Sequence, residues 1–93
     1  MSLKETDPVL FEDLMKRMKR IEGQARGIQR LLDEGAACDA VVNQLSAVKE
    51  ALNRVGVKMV ACQFSQAMAA EIKSGGTGKD ASAEMTDVFL KFS

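Results

Sequence analysis

Apolar residues fall at Phe11, Leu14, Met18, Ile21, Ala25, Ile28 and Leu32, in steps that alternate between three and four. That alternation is a heptad seam, a tighter pattern than the stripe of a solitary amphipathic helix. The helix it predicts starts at Asp7-Pro8, an N-cap followed by proline at the first helical position. It stops at Glu34-Gly35, where glycine can take the left-handed cap conformation. Gly23 and Gly27 lie inside it, each costing about 1 kcal/mol against Ala. Close approach of another helix is one reason to keep them, and weak local design is the other.

A second seam runs through Cys38, Val41, Leu45, Val48, Leu52, Val55, Met59 and Cys62, and its helix continues to Lys73. Ser74-Gly75-Gly76-Thr77-Gly78 breaks it. Asp80 is placed to cap a short third helix that carries Met85, Val88 and Phe89 and ends near Lys91. No useful run of strand-like alternation occurs. The first two helices, about 40 and 50 Å long at 1.5 Å per residue, are too long for a compact monomer. A tight turn at Gly35 makes them an antiparallel hairpin, and two hairpins make a four-helix bundle. The expected fold is all-α: a three-helix protomer, with dimerisation required by the pattern.

Composition agrees and narrows the function. Ninety-three residues make one domain, taken here as 1–93, with no Trp or Tyr and a single Pro. No apolar run approaches the ~18 residues that span a membrane. The polar start, Met1 to Pro8, does not read as a signal peptide, and two cysteines do not make a secreted disulfide scaffold. The reading is cytoplasmic. The chain has no His, which removes the commonest metal ligand and general base. Gly75-Gly76-Thr77-Gly78-Lys79 lacks the spacing and preceding strand of a phosphate loop and reads as a linker. The chain is not expected to be an enzyme.

Formal charge is zero, from 13 basic and 13 acidic residues, but it is unevenly spread. Lys16, Arg17, Lys19, Arg20, Arg26 and Arg30 stand against Glu22 alone in residues 16–30. Lys49, Arg54 and Lys58 face Glu50 in residues 49–58. Such a zone is what phosphate binding needs, and an oligomer multiplies it. A solvated helix face is the plainer alternative.

The cysteines are the other candidates. Cys38 opens the second helix, where backbone amides favour thiolate. Cys62 lies 24 residues later, ~36 Å along one helix, so the two cannot share a ligand within a chain. An antiparallel partner crossing near Glu50 would bring Cys38 opposite the other chain's second cysteine. For Cys62 a plain core role on the buried seam stands beside the functional one.

The segments Arg17-Met18-Lys19-Arg20-Ile21-Glu22-Gly23-Gln24-Ala25-Arg26-Gly27-Ile28, Glu34-Gly35-Ala36-Ala37-Cys38-Asp39, Gln44-Leu45-Ser46-Ala47-Val48 and Ala51-Leu52-Asn53-Arg54-Val55 resemble the CsoR/RcnR family of transcriptional repressors. The resemblance covers the chain without gaps to about Lys73. It implies a dimer built as an antiparallel four-helix bundle, a tetramer made as a dimer of dimers, and operator affinity lowered by ligand. It assigns DNA contact to Arg17 and Arg54, beside which Lys16 and Arg20 complete the basic set, and inducer sensing to Cys38. The chain departs from the family at Gln63, where copper, nickel, cobalt and formaldehyde sensors use His there or nearby. It departs again at Ala67, where copper and persulfide sensors have Cys. Cys62 is the substitute, argued from the seam.

Three functions follow. The favoured one is a repressor whose inducer is a persulfide or other thiol-reactive species acting on Cys38 and Cys62. The alternative keeps the repressor and makes those cysteines Cu(I) ligands, with Met59 as a weak third; no other cofactor is expected. The third is a helical adaptor that binds protein rather than DNA.

Overall fold

The structure, a computed structural model, describes residues 2–92, and side chains to residue 91. The described residues form four helices: α1 Leu3–Thr6, α2 Pro8–Asp33, α3 Cys38–Lys73 and α4 Lys79–Phe92. The three long ones are the helices that the periodicity predicts. The single turn of α1 is additional, and Lys4 of α1 places Nζ 5.7 Å from the centroid of the Phe11 ring on α2, within cation–π range.

The helix ends follow from local chemistry. Asp7 caps α2, its Oδ1 accepting the Leu10 N–H at 3.1 Å, with Pro8 in the first turn. At the other end Gly35 sits at φ +73°. The Gly35 amide donates to the Leu32 carbonyl at 3.2 Å and the Ala36 amide to Leu31 at 2.9 Å. This is the Schellman pairing, and it requires a residue that tolerates positive φ. Gly75, at φ +93°, ends α3 in the same way, with Gly75 donating to Ile72 at 3.0 Å and Gly76 to Glu71 at 2.8 Å.

The chain divides into two compact units, Met1–Val55 and Gly56–Ser93, with the boundary inside α3. The first unit is a helical hairpin. One groove is lined by Arg17, Arg20, Ile21 and Gln24 of α2 and by Ala47, Glu50, Ala51 and Arg54 of α3. The two stretches lie about equally far from the Gly35 turn along their helices, so α2 and α3 run antiparallel from it. Leu14, Ile21 and Ile28 of α2 and Val41 of α3 are buried, and Val48 and Val55 are half-buried.

Each predicted seam is therefore split. One row, at seven-residue spacing, faces the core. The alternate row, Met18, Ala25 and Leu32 on α2 with Cys38, Leu45 and Leu52 on α3, is exposed. In the hairpin register Met18 lies level with Leu52, Ala25 with Leu45 and Leu32 with Cys38.

In the second unit the core follows a different stripe of α3. Gly56 and Val60 are buried, and Val60, Phe64 and Ala67 line a small apolar cavity, about 10 Å³, against Ala81, Met85 and Val88 of α4. The split of the seam continues here, with Met59 in the exposed row and Cys62 half-buried like Val48 and Val55. The stripe changes because α4 folds back on α3 and takes its 60/64/67 face.

The cap expected at Asp80 is also corrected. Asp80 lies within the first turn of α4. The start of that helix is held by Glu71 of α3, whose Oε1 accepts the Ala81 N–H at 2.8 Å. Gly78, at φ +89°, makes the approach possible, because a Cβ there would collide with Met68 Sδ.

Candidate DNA-binding groove and cysteines

The groove of the first unit is open, with a volume of about 210 Å³. It brings together three of the four basic residues expected to touch DNA: Arg17, Arg20 and Arg54. The antiparallel register does this, bringing the turn at 17–20 of α2 across from the turn at 50–54 of α3. Lys16 faces elsewhere, lining an open surface with Pro8, Glu12 and Asp13.

Two groove arginines are held by carboxylates one turn earlier on their own helices. Arg17 Nε donates to Asp13 Oδ2 at 3.0 Å and Arg54 Nη2 to Glu50 Oε1 at 2.9 Å. A third pair of the same spacing, Arg26 with Glu22 at 2.8 Å, stands outside the groove. Such exposed pairs stabilise a helix by only about 0.3–0.5 kcal/mol. They orient the guanidinium groups without neutralising the groove, which has three cations against Glu50.

Sequence reasoning passed over two groove residues, Gln24 and Glu50. Gln24 keeps its Oε1 out of solvent with no hydrogen-bond partner. Mirroring the chain about Gly35 places Glu50 level with Arg20 and Gln24 within one residue of Ala47, so the register points to both.

The cysteines are free thiols in different units. Cys38, exposed, is the first residue of α3. The neighbouring Asp39 turns its Oδ1 onto the Ala40 N–H at 2.9 Å. Cys62 receives the Gln66 side-chain amide at 3.5 Å from Sγ. Gln63 Nε2 donates to Glu84 Oε1 at 3.3 Å, tying α3 to α4, and Ala67 lines the apolar cavity. Among the described residues no cluster of three or more His, Cys, Asp or Glu could hold a metal within one chain. Among the same residues no helix is long and apolar enough to cross a membrane.

The Gly75–Lys79 loop leads into a helix start that already has an anion. The carboxylate of Glu71 already occupies the amide end of α4, where an anion would sit.

An all-helical protomer with an arginine-lined hairpin groove and an exposed cysteine at the head of its longest helix has the form of a small helical repressor. Residues 11–91 match the family model for metal-sensitive transcriptional repressors, and the chain belongs to that family. It is similar to the copper-sensing transcriptional repressor CsoR of Bacillus subtilis, 38% identical over 81 residues that cover 87% of this chain and 79% of the relative. It is also similar to the copper-sensing repressor RicR of Mycobacterium tuberculosis, 36% identical over 74% of this chain and 72% of the relative. Among solved structures it matches the Cu(I) form of CsoR from Geobacillus thermodenitrificans. The TM-score is 0.73 and the identity 36%, with 87% of this chain and 83% of that one covered.

Proposed function

We propose that the chain is an operator-binding repressor, not an enzyme, that it works as an oligomer, and that Cu(I) bound through Cys38 lowers its DNA affinity. The observation that carries the DNA part is the groove that gathers Arg17, Arg20 and Arg54. The sequence reading ranked a sulfur species ahead of Cu(I). The relatives reverse that order, since CsoR and RicR are both copper-sensing.

The donor set fits the metal. Cys38 and Cys62 are soft sulfur donors, Met59 is an exposed thioether, and the chain has no imidazole. Thiolate and thioether select Cu(I). A four-coordinate zinc site of the usual kind draws on more Cys and His than this chain offers. The Cys38 thiolate at the head of α3 would hold the metal, with Cys62 and Met59 as further sulfur donors. With no three-ligand cluster among one chain's described residues, a second chain is the natural source of the remaining donors.

Release of DNA then follows from linkage. A ligand lowers operator affinity only if it binds the DNA-free arrangement more tightly, and DNA weakens the ligand by the same factor.

The test is fluorescence anisotropy on a duplex carrying the DNA upstream of the chain's own gene. Arg17→Ala and Arg54→Ala should each weaken binding. Each should also reduce the log–log salt slope by about one per engaged copy, with helix content unchanged. Anaerobic Cu(I) should release the wild type and leave Cys38→Ala bound. Release by polysulfide and not by Cu(I) would return the sulfur reading. No binding of that DNA at all would leave the adaptor.

A further inference from the structure

Two of the three arginines in the groove are already engaged, and one of their partners is itself part of the groove. Arg54 donates to Glu50 at 2.9 Å, and Glu50 is the acid among the lining residues. Both side chains are largely open to solvent, at 65% and 67% exposure. The Arg17–Asp13 pair is less exposed, at 33% and 39%, and Asp13 does not line the groove.

A guanidinium presents its donors in a fixed fork, and carboxylate and phosphate compete for the same fork. A DNA phosphate entering this groove meets an arginine one of whose Nη donors is already held by a carboxylate, and that carboxylate repels the phosphate as well. We propose that Glu50 is an intramolecular competitor of the DNA phosphate: it holds Arg54 in the free protein and yields it when a phosphodiester takes its place. This rests on the groove being the DNA surface and adds the group that opposes binding there. Phosphate contacts are blind to sequence. Glu50 therefore restrains binding to any duplex and leaves sequence-dependent contacts to distinguish the operator.

An exposed pair of this spacing shifts an equilibrium by about two-fold, and every copy that engages the duplex multiplies the factor. The experiment measures full-length protein against the upstream duplex and a random duplex of equal length, for wild type, Glu50→Gln, Arg54→Ala and the double variant. Glu22→Gln, which breaks the Arg26 pair outside the groove, is the control, and thermal melts monitor folding of every variant. Glu50→Gln should tighten both duplexes by about two-fold per engaged copy. The gain should vanish in the Arg54→Ala background, and Glu22→Gln should show no comparable gain.

An equal gain with and without Arg54, or an equal gain from Glu22→Gln, would mean general repulsion and overturn the exchange. So would weaker binding by Glu50→Gln, which would make Glu50 a residue that positions Arg54 for DNA, or unchanged binding. If Arg54→Ala binds DNA as well as wild type, the groove reading falls and takes this inference with it. If Arg54→Ala binds weakly while the coupling is absent, only the exchange falls.

Discussion

At positions 23 and 27 the middle of α2 carries glycine, and a Cβ built at either one meets nothing within 4 Å in this chain. The close approach that would justify them is not made by the chain's own helices. Each residue costs the free helix about 1 kcal/mol against Ala, and Ala also reduces the entropy of the unfolded chain. Gly23→Ala should therefore raise stability by roughly 0.5–1 kcal/mol, read as a higher denaturation midpoint at unchanged helix content. A lower midpoint would mean that another copy presses on the backbone there. The periodicity did not decide between these outcomes. It marked the glycines as anomalous, but one sequence carries no coordinate for a neighbouring molecule. The same holds for Met18 and Ile21, which are equivalent on a heptad wheel. Ile21 is 7% exposed and Met18 42% because the hairpin covers one row and leaves the other.

Among the elements, α2 and α3 were legible because their signals are local: the Asp7 cap, Pro8, and the positive-φ glycines at 35 and 75. The start of α4 was not, because its cap comes from ten residues upstream. Glu71 reaches Ala81 only after the chain has turned through Gly76 and Gly78, where added Cβ atoms would strike Glu71 and Met68. Nothing in the spacing of Asp80 announces that a different carboxylate has taken the amide. The 60/64/67 stripe that α4 covers was missed for a related reason, since it lies beside the seam and is used only because α4 folds onto it. Glu71→Ala should loosen the first turn of α4 by about 1 kcal/mol, the usual worth of a side-chain cap. Hydrogen exchange should quicken at Ala81 and its neighbours while α2 stays protected. Undiminished protection in α4 would show that its packing, not the carboxylate, holds the turn. Of the groove, Arg17, Arg20 and Arg54 were legible as basic residues. Glu50, counted only as an opposing charge, becomes a groove residue once the register is known.

For the whole molecule the decisive fact is how little one chain buries. The buried apolar residues among those described are Leu14, Ile21, Ile28, Val41, Val60 and Ala81, and none of the large side chains is removed from solvent completely. At about 1.5–3 kcal/mol for a fully buried aliphatic side chain, such a core is thin against about 1–2 kcal/mol of backbone entropy per ordered residue. The apolar surface needed to close the balance is present but uncovered. Leu32 is 62% exposed, Leu45 50% and Leu52 41%, on the same seven-residue rows that the sequence marks as seam. Large apolar side chains left open at this spacing are unusual on a monomer, and the heptad spacing is that of a helix-to-helix interface. A second hairpin laid on the stripe would complete a four-helix bundle. Leu45→Glu places a charge at the centre of that stripe without touching the hairpin core or the arginine groove. It should shift the protein toward a smaller, less stable species by light scattering or native mass spectrometry. It should also weaken DNA binding, because each groove would then act without the others. If Leu45→Glu keeps the wild-type mass and melting behaviour at micromolar concentration, the exposed rows are not an interface.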